Sequence, residues 1–75
     1  MSLQVRLTGI LKGYSEGGSP VLVEASGENI RQILAKLHIP SEMVAVVLVN
    51  GILQEKDIIP QDQDVIQLIP LIGGG

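Results

Sequence analysis

Cysteine, phenylalanine and tryptophan are absent from this chain, and tyrosine and histidine occur once each, as Tyr14 and His38. Without cysteine, neither a disulfide nor a thiolate-held metal can staple the fold. With a single histidine, a transition-metal site lacks its commonest ligand, and His38 reads as a helix-end residue well placed for the helix dipole. The net charge is −3, and the five basic residues (Arg6, Lys12, Arg31, Lys36, Lys56) are scattered. Nucleic-acid binding needs clustered positive charge and usually stacking rings, so that class is excluded. Long apolar runs are missing too: the longest, Met43 to Val49, has seven residues, too few to span a membrane. Gln4 and Arg6 interrupt what would be the apolar region of a signal peptide. A soluble, cytoplasmic protein is expected.

What remains is aliphatic. Seventy-five residues make one small domain, of which 45% is hydrophobic, far more than a disordered segment carries. Ten Ile, ten Leu and eight Val must build the core, and the eighteen β-branched Ile and Val residues favour strands over a helical bundle.

Periodicity places the elements. Leu3, Val5, Leu7 and Leu11 share one parity, which predicts a half-buried strand with a bulge or bend at Gly9. Lys12 to Pro20 is a glycine-rich connection, and Val21 to Ala25 is the returning strand of a hairpin. Ser26-Gly27-Glu28-Asn29 supplies an N-cap and an early acidic residue. Ile30, Ile33, Leu34 and Leu37 then follow at amphipathic-helix spacing, closed by His38 and Pro40. Val44 to Val49 is apolar throughout and predicts an interior strand, and Asn50-Gly51 predicts a tight hairpin into Ile52-Leu53. Gln54 to Asp64 is irregular, with a short turn around Ile58 and Ile59. Val65 to Ile69 is the last strand, ended by Pro70, which cannot continue a ladder. A helix across one face of a mixed sheet of four to five strands satisfies this order: an α+β fold.

Two surfaces stand out. In the last strand Ile66 and Leu68 should face the helix, which leaves Val65, Gln67 and Ile69 on the outer face. Val44 to Val49 must add apolar groups there, so the outer face is either a partner-binding surface or an ordinary scatter of exposed side chains. The acidic group Glu55, Asp57, Asp62 and Asp64 is a solvated loop or a surface steering toward a basic partner. Beyond the last strand, Gly73-Gly74-Gly75 has no turn to make. It offers a narrow, uncharged thread tipped by a carboxylate, suited to entering another protein's channel; a frayed end or cloning scar is the plain alternative.

Other chemistry finds no residues to carry it. The serines have no His and Asp arrangement around them, Asp62 and Asp64 read as turn residues, and Gly13 to Gly18 lacks the lysine of a phosphate loop. Tyr14 reads as loop packing.

Three segments in order carry a resemblance: Val47-Leu48-Val49-Asn50-Gly51, Asp62-Gln63-Asp64-Val65, and Ile69-Pro70-Leu71-Ile72-Gly73-Gly74-Gly75. Together they resemble the ThiS/MoaD family of β-grasp, ubiquitin-like sulfur carriers over nearly the whole chain. That family typically shows Val-Asn-Gly, then Asp-Gly-Asp-x-Val, then an apolar segment ending in Gly-Gly. Gln63 stands where the family usually has glycine, so a left-handed backbone there would be less comfortable. Gly73 stands where molybdopterin-synthase subunits often have Ala or Ser, although triple glycine also occurs among thiazole-pathway carriers. Pro70, sixth from the end, is closer to the molybdopterin branch.

The resemblance implies a β-grasp domain over residues 1–72 and a flexible tail over residues 73–75. It implies that an adenylyltransferase of the ubiquitin-activating type, using ATP, draws in Gly73 and Gly74 and adenylates Gly75. A sulfurtransferase then converts Gly75 to a thiocarboxylate, and the large subunit of molybdopterin synthase or thiazole synthase receives the sulfur. Val65, Ile69, Leu71 and Ile72 are the expected partner-binding residues. The chain itself would bind no cofactor or metal and would be a protein cosubstrate rather than an enzyme. A ubiquitin-like modifier joined through Gly75 to target lysines is the alternative, and a bare interaction module with an incidental tail is a third reading.

Overall fold

The computed structural model describes residues Met1 to Leu71. Five strands form one mixed sheet: β1 (Ser2–Leu7), β2 (Val21–Glu24), β3 (Val44–Val49), β4 (Ile52–Gln54) and β5 (Val65–Pro70), in the order β2-β1-β5-β3-β4. One α-helix, α1 (Ile30–Lys36), crosses a single face. β1 pairs antiparallel with β2 and parallel with β5, and β3 pairs antiparallel with both β4 and β5. This is the β-grasp arrangement expected from the sequence. No helix among the described residues is long and apolar enough to cross a membrane.

The core forms where alternation and helical spacing meet. Leu3, Val5 and Leu7 from β1, Ile66 and Leu68 from β5, and Val47 and Val49 from β3 are buried against Ile30, Ile33 and Leu34 of α1. No buried polar or charged side chain occurs among the described residues. Burial of aliphatic area, worth about 25 cal/mol per Å2, is therefore the main stabilising term.

α1 is short and well capped at both ends. Asn29 accepts a hydrogen bond from the Gln32 amide while the Gln32 side chain accepts from the Asn29 amide, a reciprocal capping box. Glu28 therefore precedes the cap instead of occupying the first turn, and it pairs with Lys36 at 2.6 Å. At the other end His38 adopts φ 60°. Its amide reaches the Ala35 carbonyl, and the Ile39 amide reaches that of Leu34, closing the helix in a Schellman motif.

Four expected boundaries shift. The first strand ends at Leu7, because Gly9 takes φ 56° and turns the chain into a 3₁₀ helix, Gly9–Tyr14, that buries Leu11 from a different element. The second strand stops at Glu24. The turn placed around Ile58 and Ile59 lies at Lys56-Asp57 and is closed by the Ile58 amide on the Glu55 carbonyl. Pro70 does not end the ladder: it is the last residue of β5, aligned with Val44 across a register shift between Val44 and Val46. The proline needs no amide partner there, and pairing resumes one residue later, where the Leu71 amide donates to the Met43 carbonyl at 2.9 Å.

Candidate functional site

β5 carries the chain toward its C-terminus, so the residues that fix β5 also fix where the tail begins. Its start is held by a side-chain clamp. Asn50 occupies the first position of the tight turn after β3, with φ 52°, followed by Gly51 at φ 83°, the positive pair a type I′ hairpin requires. The Asn50 side-chain oxygen accepts from the Val65 amide at 2.9 Å, and its nitrogen donates to Asp64 Oδ1 at 2.8 Å. Asp64 Oδ2 in turn accepts from the Gln61 amide at 2.8 Å.

Asp62 and Asp64 are thus turn residues, as expected, with their carboxylates committed to backbone and amide donors. Asp62 accepts from the Ser2 amide at 2.7 Å, and this bond holds its carboxyl below the ordinary carboxylate range. Between them Gln63 adopts φ 70°, the left-handed conformation foreseen as uncomfortable for glutamine. Its amide bonds the Ser2 carbonyl at 2.7 Å, tying the turn to the start of β1.

The far end of β5 is fixed by packing. Pro70 is buried, and its ring lies so close to Gly9 that a Cβ built on that glycine would stand 3.2 Å from Pro70 Cγ. Thr8 Oγ1 donates to the Leu68 carbonyl at 2.9 Å, adding a second tie between the two chain segments.

The outer face of the sheet follows from the register. Val65 and Ile69 are half-buried on it, and Leu71, just past β5, is exposed. Ile72, Gly73, Gly74 and Gly75, the other residues expected to meet a partner, lie outside the described residues. Ile69 aligns with Val46, and Leu48 lies between Gln67 and Leu53, so these apolar side chains share one face. Leu53 is 68% exposed. Arg6 and Gln4 flank the patch from β1, beside Gln67 and Val65. The run Val44 to Val49 predicts apolar groups here, and Leu53 joins them beyond that expectation. Its signal was the Asn50-Gly51 turn, which places Leu53 opposite Leu48 by counting outward from the hairpin.

Elsewhere little is poised for chemistry. Among the described residues no group of three or more His, Cys, Asp or Glu stands together as a metal site. An open cleft between β3 and the segment after β4 is rimmed by Arg31, Glu55, Lys56 and Asp57, three of which are held by other groups. Arg31 pairs with Asp57 at 2.9 Å, and Lys56 donates to the Ser41 carbonyl at 2.7 Å.

The sequence matches the ThiS family model over residues 5–75. This chain belongs to the ThiS family. Among solved structures it is similar to SAMP1 from Haloferax volcanii, with a TM-score of 0.74 and 21% identity over the full length of both chains. It is also similar to a chain in the complex of subunits 1 and 2 of molybdopterin-converting factor from Helicobacter pylori, with a TM-score of 0.65 and 23% identity, again covering both chains fully. The Haloferax volcanii HVO 2177 protein gives a TM-score of 0.71 at 17% identity, over all of this chain and 87% of the other. No curated protein matches. At such identities the likeness establishes the ubiquitin-like β-grasp fold. For this ThiS-family chain, the segments that carried the resemblance are now physically connected: Asn50 of Val-Asn-Gly and Asp64 of the Asp-x-Asp turn are hydrogen-bonded partners at the root of β5.

Proposed function

We propose that this chain is a sulfur carrier, a protein cosubstrate whose Gly75 carboxylate is activated and converted to a thiocarboxylate. The observation that carries the reading is the ThiS-family match extending through Gly75, at the end of a chain whose last strand is clamped at both ends. A terminal carboxylate has a reference pKa of about 3.5 and is ionised at neutral pH, so it can attack the α-phosphate of ATP bound to an adenylyltransferase. That step releases pyrophosphate and leaves a mixed acyl-phosphate anhydride. Sulfur delivered at the sulfide level by a sulfurtransferase then attacks the Gly75 carbonyl and displaces AMP. ATP belongs to the activating partner in this scheme, and the carrier contributes the carboxylate and the means to deliver it.

Geometry supports a docked partner. Four residues follow Leu71, and fully extended they reach about 13 Å, so the activating site must come close to the end of β5. The apolar outer face, with Val65, Ile69, Leu71 and Leu53, is the surface offered for that docking. In this reading the sulfur is accepted by a molybdopterin-synthase large subunit or a thiazole synthase, and membership of the ThiS family supports such an acceptor. Pro70 favours the molybdopterin branch, and a related fold occurs in the two-subunit molybdopterin-converting factor complex.

Loading of a Gly75→Val variant tests the reading. The branched side chain should stop thiocarboxylate formation in a narrow channel while circular dichroism stays unchanged. Loading at the wild-type rate would contradict it.

A further inference from the structure

The contact between Gly9 and Pro70 has features that strand pairing alone does not require. Gly9 takes φ 56°, a conformation that L side chains rarely adopt, and a Cβ there would meet Pro70 Cγ at 3.2 Å and Cδ at 3.9 Å. The 3₁₀ helix that begins at Gly9 is anchored by Leu11, which is 0% exposed, and by the Leu11 amide on the Thr8 carbonyl. Across the strand, the bulge between Val44 and Val46 admits Pro70 to the ladder, and the Leu71 amide is taken up by the Met43 carbonyl. The chain direction at Leu71 is thus set from two sides, by a rigid ring against a bare backbone and by a backbone hydrogen bond. Both lie within five residues of Gly75.

We infer that Gly9 and Pro70 act as positioning residues for activation of the tail: their contact aims the chain at Leu71 so that Gly75 reaches the adenylating site. This rests on the carrier reading above. When the last four residues are drawn out in a partner's channel they have little slack. A displacement of the root is then passed to the carboxylate, and a misplacement of about 1 Å at a reacting centre costs as much as about 100-fold in rate. The proline ring fixes φ at the root, and glycine alone lets the 3₁₀ backbone lie against it. Neither residue touches the reacting atoms.

The test is steady-state ATP–pyrophosphate exchange by a ubiquitin-activating-type adenylyltransferase, with the full-length carrier as the varied substrate. Wild type, Pro70→Ala, Gly9→Ala and the double variant are compared, each checked by circular dichroism and thermal unfolding. Docking rests mainly on Val65, Ile69 and Leu53 of the outer face, which these substitutions leave in place. Both single variants should therefore lose about 10- to 100-fold in kcat with KM within about twofold of wild type. The double variant should be no worse than the poorer single, because the two residues form one contact. A purely structural role would appear as a higher KM that tracks a lower Tm, with kcat unchanged, and that result overturns the inference. Wild-type kcat in Pro70→Ala overturns it as well, even if Gly9→Ala does not fold. Absence of exchange with the wild-type chain would instead overturn the carrier reading on which the inference stands.

Discussion

Asn50 and Asp64, fourteen residues apart, join the turn after β3 to the turn before β5 through a hydrogen bond of 2.8 Å. The same Asn50 side chain receives the Val65 amide, so one residue shapes a hairpin and starts a distant strand. Asp64→Ala removes the acceptor for both Asn50 and the Gln61 amide. The expected loss is about 1–2 kcal/mol. In a domain of this size that lowers Tm by about 4–8 °C per kcal/mol, read by thermal unfolding. An unchanged Tm would mean the clamp contributes nothing beyond what water supplies.

Gln63 offers the opposite outcome. Its φ of 70° is strained for a residue with a Cβ, while glycine adopts it freely. Gln63→Gly should therefore stabilise the fold by about 1 kcal/mol, allowing for the extra freedom glycine gains in the unfolded chain. Chemical denaturation at neutral pH measures this as a higher midpoint with an unaltered slope.

Acid should weaken the fold in part through Glu28. The Lys36 ammonium, first, and then the Ser26 amide lower its pKa from 4.5 to about 2. The folded chain thus holds this carboxylate ionised where the unfolded chain protonates it. The stabilisation is fully present above the unfolded value and is lost as pH falls from 4.5 toward about 2. Thermal unfolding of wild type and Glu28→Gln across that window should show the wild-type advantage shrinking with acid. A difference that is constant with pH would remove Glu28 as its source.

Leu53 tests the outer face as a docking surface. It stands 68% exposed on an edge strand, so Leu53→Glu should leave Tm nearly unchanged. If the face docks the adenylyltransferase, KM for the carrier should rise about tenfold, the effect of losing about 1.4 kcal/mol of contact. An unaltered KM would place docking elsewhere.

Much of the fold was legible because local patterns agreed with tertiary packing. The parity of Leu3, Val5 and Leu7, the helical spacing of Ile30 to Leu37 and the Asn50-Gly51 pair each specify one structure. The parity of Leu11 misled, since a buried leucine four residues beyond Leu7 satisfies a strand and a 3₁₀ turn equally, and only the positive φ at Gly9 separates them. Pro70 was read by its missing amide, a local rule. The bulge at β3 that makes room for it is a property of the partner strand and leaves no mark near Pro70 itself. The clamp between Asn50 and Asp64 was visible as two motifs but not as one bond, because sequence order does not reveal that β3 and β5 are neighbours. The partner of Leu53 is legible, since the Asn50-Gly51 turn sets it opposite Leu48, but the apolar face the pair joins exists only once β5 lies beside β3.

The most direct measurement is the intact mass of the purified protein after incubation with an adenylyltransferase of the ubiquitin-activating type, ATP and a sulfur donor. The carrier account predicts a gain equal to exchanging one oxygen for one sulfur, absent without ATP and absent in a variant lacking Gly75. An unchanged mass, or conversion to lysine-linked conjugates with no thiocarboxylate form, would contradict it.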